Sequence, residues 1–179
     1  MPGARSTSLA VVLTPLSNAD PETVEALLDA AFGADRRGRT AYRLREGAVA
    51  IPELSVAAWD GERLVGTLQS WPVALRTATG TEMLVMVGPV AVVPDLQTQG
   101  IGKALMAALT AAAEATGADA LMMIGDPEYY ERFGFTAAPA AGWRIDGPYE
   151  QRRLLARLRR PVAAEGNLVP SRCPEPVTS

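Results

Sequence analysis

The sequence predicts an α/β domain built around a strand, a helix and a second strand between residues 83 and 124. The segment 83–93 is almost wholly apolar, which is typical of a buried strand. After a polar loop, apolar side chains recur at helical spacing on one face. They are Ile101, Leu105, Ala108, Leu109 and Ala112. The short apolar segment 120–124 follows, and a right-handed crossover would place it parallel to the first strand.

Five further segments predict the other strands of a mostly antiparallel sheet of about seven. Two of them flank Asp60-Gly61, a dipeptide typical of tight hairpin turns. The segment 83–93 is the longest apolar run, and we expect it to form the longest strand, at the centre of the sheet, because it is apolar on both faces. Pro89 removes a hydrogen-bond donor within it, which indicates a local irregularity. The five other predicted strands span 9–13, 54–59, 63–75, 143–145 and 153–158.

Helices are predicted from their end signals. Asp20 and Pro21 suit an N-cap and a first helical position, and Gly33 suits the end of that helix. The basic segment 35–47 predicts a second short helix. A Gly-Asp-Pro turn at 125–127 leads into another short helix.

Length and boundaries indicate one domain. The chain has 179 residues, enough to bury a substantial core. We expect a single domain over residues 1–160 and an irregular, Pro-rich tail over 161–179, because no linker divides the chain. Cys173 in this tail is the single cysteine, so no internal disulfide forms and a reducing compartment is expected.

Composition excludes several classes of function. The formal net charge is −3 without a basic patch, so no nucleic-acid partner is expected. No histidine occurs, which excludes His-based triads and His metal sites. No apolar run is long enough for a membrane span, and the first residues lack the apolar segment of a signal peptide. We therefore expect a cytoplasmic protein with no membrane partner.

The loop before the helix that follows 83–93 has the features of an anion site. The first N–H groups of a helix lack intrahelical partners and carry the positive end of the helix dipole. Gly100 and Gly102 remove Cβ atoms that would keep a phosphate away from these donors, and Lys103 adds a positive charge. Close packing of the helix on the sheet explains the two glycines equally well.

Two motifs resemble those of the GNAT superfamily of N-acetyltransferases. The first is Gln97-Thr98-Gln99-Gly100-Ile101-Gly102, which fits the family signature (Gln/Arg)-x-x-Gly-x-(Gly/Ala). The second is Tyr130-Glu131-Arg132-Phe133-Gly134-Phe135, which is similar to the Tyr-x-x-x-Gly-Phe segment after the family's fifth strand. Over residues 8–160 the chain looks like a bacterial subgroup of predicted acetyltransferases. The resemblance implies the GNAT fold, a mixed sheet with a parallel core of fourth strand, third helix and fifth strand, and helices on both faces.

The resemblance also implies the acyl donor and the residues that bind it. Acetyl-CoA is the implied co-substrate, and no metal is implied. The backbone of the fourth strand would pair with the pantetheine arm, and the loop and helix start would bind the pyrophosphate. The residues implied are Val90, Ala91, Val92, Gln97, Thr98, Gln99, Gly100, Ile101, Gly102 and Lys103. A bulge on the fourth strand would separate it from its parallel neighbour and admit the thioester.

Tyr130 is the catalytic residue that the resemblance implies, because many family members place this tyrosine beside the coenzyme sulfur. A phenol with a pKa near 10 is protonated at neutral pH and can give a proton to the departing thiolate. The alternative is a packed core residue whose hydroxyl is satisfied. A backbone N–H near Val92 would stabilise the oxyanion of the tetrahedral intermediate. Tyr129, on another face of the helix, is expected to be structural.

The general base stays open. Four carboxylates lie near predicted strand ends or the site, namely Glu53, Glu82, Asp126 and Glu128. For Asp126 we favour the role of a helix N-cap. In many relatives, waters and backbone carbonyls relay the proton, so no carboxylate is assigned. Most relatives also have a longer connection with an asparagine where this chain has its Gly-Asp-Pro turn.

The implied acceptor is a primary amine, which we expect to belong to a small molecule. A protein N-terminus or lysine is the alternative acceptor, and a non-catalytic acyl-CoA-binding module is the alternative function. A wall of the acceptor pocket in such enzymes corresponds to the region that holds Arg36, Arg37, Arg39, Arg43 and Arg45. A solvated face suits most of these arginines. Contact of one of them with an anionic acceptor or with the coenzyme stays open, as does a homodimer.

Overall fold

A computed structural model describes residues 10–171, which form one eight-stranded sheet and four α-helices. The helices are α1 Pro21–Phe32, α2 Thr40–Leu44, α3 Ile101–Thr116 and α4 Pro127–Tyr130. The first four strands are β1 Val12–Pro15, β2 Val56–Asp60, β3 Arg63–Thr77 and β4 Gly80–Val92. The last four are β5 Ala120–Ile124, β6 Gly142–Ile145, β7 Leu154–Leu158 and β8 Glu165–Pro170. Leu9 and Cys173 lie outside the described residues.

The sheet is mixed and mostly antiparallel, as predicted. Its strands follow the order β1-β2-β3-β4-β5-β7, in which only β4 and β5 are parallel. The helix α3 connects these two strands, so the predicted parallel strand–helix–strand unit is confirmed. The expectation that β4 is the longest strand was wrong, since β3 has 15 residues and β4 has 13.

The tail prediction was wrong for Glu165–Pro170, which forms β8. This strand pairs antiparallel with the second half of β3 and parallel with β6. The connection before it is also fixed, because the Trp143 indole donates a 2.9 Å hydrogen bond to the Ala163 carbonyl. The Ala163 N–H in turn donates to Glu82 at 2.7 Å. Regular secondary structure therefore continues about ten residues beyond the boundary expected at residue 160.

Two apolar cores lie on opposite faces of the sheet, because side chains alternate between the faces along each strand. On β5, Leu121 and Met123 belong to the core under α1 and α3, whereas Met122 belongs to the other. The second core contains Leu44 of α2 and the fully buried Trp143. Helices therefore lie on both faces, as expected.

The predicted irregularity at Pro89 is a bulge in β4. Leu68 of β3 is paired with Val90, but Ser70 is paired with Val87, so one residue of β3 faces two of β4. An extra residue of this kind bends the bulged strand and increases its twist. The bulge lies beside the point where β4 parts from β5.

Candidate active site

The parallel strands β4 and β5 separate soon after they meet. Their pairing is confined to Val85 with Leu121 and Met86 with Met122, although β4 continues for six more residues. The Val93 N–H donates a 2.9 Å hydrogen bond to the Val65 carbonyl, on the β3 side. Because backbone groups alternate in direction along a strand, those of Val90 and Val92 point the other way, into the gap. The gap therefore offers backbone groups that pair with neither strand, and the Gln97 side chain donates a 3.3 Å hydrogen bond to the Val92 carbonyl.

A cavity of about 410 Å³ lies between this gap and the start of α3. It is lined by β4, by the loop before α3, by the end of α1 and by α4. The lining residues are Ala31, Phe32, Val90, Val92, Gln97, Thr98, Gly100, Gly102, Lys103, Tyr129 and Tyr130. We call this the coenzyme cavity.

The helix start in the coenzyme cavity has the geometry of an anion site. Gly100 has a φ of +80°, a left-handed conformation that favours glycine, and nothing lies within 4 Å of the place of a Cβ there. The first intrahelical bond joins the Ala104 N–H to the Gly100 carbonyl, which leaves the earlier N–H groups free of helical partners. The exposed Lys103 adds a positive charge beside these donors.

The structure brings seven of the ten implied coenzyme residues to this cavity and leaves three away from it. The side chains of Ala91 and Ile101 are both 1% exposed and pack in the core. Gln99 is exposed on the loop but does not line the cavity. The implied residues are mostly consecutive in the sequence, but neighbouring side chains of a strand or a helix start point in different directions. Some of them therefore cannot face the cavity. Sequence reasoning missed Ala31, Phe32 and Tyr129, which reach the cavity from α1 and α4.

Tyr130 lies where the coenzyme cavity meets a second cavity, and it lines both. Burial is the main cause that raises the pKa of Tyr130 to about 12, and the neighbouring Tyr129 and Asp126 act in the same direction. The phenol is therefore neutral at physiological pH and can act as a hydrogen donor. None of the described residues hydrogen-bonds to its hydroxyl, unlike the satisfied core tyrosine weighed as the alternative.

Packing fixes the orientation of the Tyr130 ring. The ring meets that of Tyr129 edge to face, with centroids 4.9 Å apart. On another side it lies against Gly125, where an added Cβ would be 2.7 Å from its Cε2 atom. Gly125 therefore allows a close approach that no larger residue permits.

The second cavity, of about 840 Å³, lies on the other side of Tyr130 and Val90. Its walls are the segment 36–45 with α2, the bulged part of β4, the end of β5 and the loop 148–150. The Thr40 hydroxyl donates a hydrogen bond to the Pro148 carbonyl and so joins two of these walls. We call this the acceptor cavity, and its volume falls in the range of small-molecule sites.

The arginines of segment 35–47 divide into three groups. Arg37, Arg39 and Arg43 are exposed, as predicted for most of the five. Arg36 is fully buried, which was not predicted; it forms ion pairs with Glu25 and Asp29 and donates to the Tyr42 hydroxyl. Arg45 is half-buried and lines the acceptor cavity.

Of the four carboxylates left open as the base, Asp126 alone lines one of these two cavities. It forms an ion pair with Arg153 at 3.3 Å. It is the N-cap residue of α4, as predicted, but its side chain makes no capping hydrogen bond. Glu82 accepts from the Ala163 N–H, and Glu128 pairs with Arg152. Glu53 stands in a helical turn at Pro52–Leu54.

Within residues 10–171, no cluster of three or more Asp, Glu, His or Cys side chains is arranged to hold a metal ion. In the same part of the chain, no helix is both long and apolar enough to cross a membrane.

The mixed sheet opens between two parallel strands, beside a glycine-bearing helix start, as the resemblance to acetyltransferases implies. The family model described as acetyltransferase (GNAT) domain matches residues 13–138. The chain therefore belongs to the GNAT family of acetyltransferases, as the motifs predicted. No curated protein matches it significantly.

Solved structures of other acetyltransferases share the fold. The N-acetyltransferase YhbS from Escherichia coli, in complex with CoA, is 23% identical, with a TM-score of 0.70 over 93% of this chain and 92% of that one. A GNAT acetyltransferase from Brucella melitensis, in complex with acetyl-CoA, is 22% identical, with a TM-score of 0.63 over 90% and 96%. The ribosomal-protein-S18-alanine N-acetyltransferase from Escherichia coli is 18% identical, with a TM-score of 0.52 over 82% and 90%.

Proposed function

We propose that this protein transfers the acetyl group of acetyl-CoA to a primary amine of a small molecule. The observation that carries the proposal is the meeting of two cavities at Phe32, Val90 and Tyr130. One cavity has an anion-binding helix start, and the other has the volume of a small-molecule site. Two substrates bound from the two sides would meet at the gap between β4 and β5.

Binding of the coenzyme falls to backbone groups and to one lysine. The free N–H groups at the start of α3, with Lys103, suit the pyrophosphate. The backbone of Val90 and Val92 faces the gap and suits the amide groups of the pantetheine arm. The two neighbours crystallised with CoA and acetyl-CoA support this donor.

Acetyl-CoA supplies an acetyl group activated as a thioester. A neutral amine in the acceptor cavity attacks the thioester carbonyl directly, and a tetrahedral intermediate forms. An N–H of β4 near Val92 donates to its oxyanion, an interaction worth on the order of 3 kcal/mol in other acyl-transfer sites. Tyr130, held neutral by burial, donates its hydroxyl hydrogen to the sulfur as the carbon–sulfur bond breaks. The proton that the amine nitrogen loses returns through water to Tyr130, so the phenol is restored and the products are the amide and free CoA.

The shape of the acceptor cavity favours a small molecule over a protein. The segment 36–45 and the loop 148–150 both line the cavity, and the Thr40–Pro148 hydrogen bond joins these two walls. An extended peptide needs an open groove, whereas a compact amine fits between these walls.

The experiment is a thiol-release assay with acetyl-CoA and a panel of small primary amines, run beside lysine-containing peptides. We expect amine-dependent release with at least one small molecule and none with the peptides. Release with the peptides alone would favour a protein acceptor. Acetyl-CoA binding without release for any amine would favour the non-catalytic module.

A further inference from the structure

Arg45 is held in the acceptor cavity by neutral groups. Its guanidinium carbon lies 3.7 Å from the centroid of the Tyr42 ring and 4.4 Å from that of Trp71. Its Nη1 atom donates a 3.0 Å hydrogen bond to the Gln69 side-chain oxygen. Two aromatic contacts and one amide contact fix the group in place and leave most of its five donors unused.

Arg45 also differs from the other half-buried or buried arginines of the cavity. Arg36 is paired with two carboxylates, and Arg153 is paired with Asp126. Within the described part of the chain, no carboxylate lies within 4 Å of the Arg45 guanidinium. Burial lowers the pKa of Arg45, while Tyr42 and Glu25 act in the opposite direction.

The charge balance of the cavity points the same way. Four arginines line it, Arg36, Arg39, Arg45 and Arg153, against two carboxylates, Asp126 and Glu150. Once Arg36 and Arg153 are set against their own carboxylate partners, the lining keeps two arginines and one carboxylate, a positive balance in a chain whose net charge is −3. Walls of one charge attract and concentrate a ligand of the opposite charge.

Contacts through Trp71 link Arg45 to the place where acetyl transfer would occur. The Trp71 ring, against which Arg45 lies, donates from Nε1 to the Gly88 carbonyl at 2.9 Å. Gly88 belongs to the β4 bulge, two residues before Val90, which lines both cavities. A ligand group bound to Arg45 is therefore held at a set place relative to the gap where acetyl transfer would occur.

We propose, resting on the function proposed above, that the acceptor is an amine that also carries an anionic oxygen group, which binds Arg45. A guanidinium binds carboxylate and phosphate in the same forked geometry, so the two groups share this chemistry. The amine then points toward Tyr130, and the anion sets the orientation of the molecule.

The test uses matched pairs of primary amines in the thiol-release assay. Each ω-amino carboxylic acid is compared with its carboxamide, and each aminoalkyl phosphate with its amino alcohol. We expect kcat/KM to favour the anionic member by about tenfold to a hundredfold, as for other charged hydrogen bonds. Preference for acids alone or phosphates alone identifies which oxygen group binds.

Three variants locate the effect. Arg45→Gln is expected to bring the ratio of anionic to neutral member close to one, and Arg45→Lys to keep part of it. Arg39→Gln removes the same charge from the same cavity, where Arg39 is exposed and contacts Phe32. It is expected to keep most of the ratio. Unfolding midpoints with acetyl-CoA check that each variant is folded and binds the donor.

Several results would overturn the inference. Turnover that ignores or disfavours the anion would do so while the proposed acetyltransferase function stands. An equal loss in Arg39→Gln and Arg45→Gln would assign the effect to the general charge of the cavity instead. If no amine of any pair is turned over, the unfolding midpoint is measured with CoA and either the anionic or the neutral member of a pair. Equal shifts of the midpoint by the two members count against the inference.

Discussion

The substitution Tyr130→Phe removes one hydroxyl from the point where the two cavities meet. The phenyl ring keeps its edge-to-face contact with Tyr129 and its contact with Gly125. Because no described residue hydrogen-bonds to the hydroxyl, its loss leaves no partner unsatisfied. We therefore expect the free energy of unfolding to change by less than about 1 kcal/mol, or roughly 2–4 °C in the midpoint.

The expected kinetic effect is much larger than the effect on stability. Proton donation by a positioned side chain contributes about a hundredfold to ten-thousandfold. A phenol whose pKa is raised to about 12 is a weak proton donor, so the lower end applies. We expect kcat to fall about a hundredfold, equivalent to roughly 2.7 kcal/mol of barrier, with little change in KM for acetyl-CoA.

The assay is steady-state thiol release at saturating amine, with Tyr129→Phe as the matched control. Tyr129 lines only the coenzyme cavity, and removal of its hydroxyl is expected to cost kcat at least tenfold less than Tyr130→Phe. If Tyr130→Phe kept kcat within about threefold of the unaltered protein, the assignment of Tyr130 as proton donor would be refuted.

Three further predictions concern the same site. Gly125→Ala places a Cβ 2.7 Å from Tyr130 Cε2, so the Tyr130 ring must shift. We expect kcat in the thiol-release assay to drop about tenfold or more, and an unchanged kcat would contradict the packing argument. Lys103→Gln should raise KM for acetyl-CoA a few-fold with kcat intact, less so at high salt, and equal KM values at low salt would remove Lys103 from the site. The raised pKa of Tyr130 keeps its protonated, hydrogen-donating form populated at higher pH than in an ordinary tyrosine. We therefore expect kcat to show no alkaline fall up to about pH 10.5, and a fall near pH 9–10 would argue against Tyr130 as the proton donor.

Local patterns were enough to predict the central part of the fold. Burial requires apolar residues at positions set by the geometry of the strand or helix. The apolar segment before Gly100 and the helical spacing after it could therefore be recognised in the sequence. Pro89 indicated the bulge, because its lack of an N–H is a property of the residue itself. The strand β8 left no such pattern. Of its six residues only Leu168 is buried, so its pairing with β3 and β6 depends on backbone contacts between distant segments.

The residues of the candidate site that belong to a sequence motif could be predicted. Those that the fold brings in from distant segments could not. The motif identified Gly100, Gly102 and Tyr130, but Phe32 reaches both cavities from the end of α1, where its spacing shows only an apolar helix residue. The five arginines looked alike in the sequence. Burial and partners separate Arg36, paired with two carboxylates, from Arg45, which contacts neutral groups.

Thermal unfolding with acetyl-CoA, CoA or NAD tests most directly whether the cavity at the start of α3 is a coenzyme A site. A ligand at about a hundred times its dissociation constant adds roughly 2.7 kcal/mol to the free energy of unfolding, which corresponds to about 5–10 °C here. We expect acetyl-CoA and CoA to raise the midpoint by this amount and NAD to leave it unchanged. If millimolar acetyl-CoA had no effect, the glycines at the start of α3 would serve packing alone, and the proposed acetyl transfer would be contradicted.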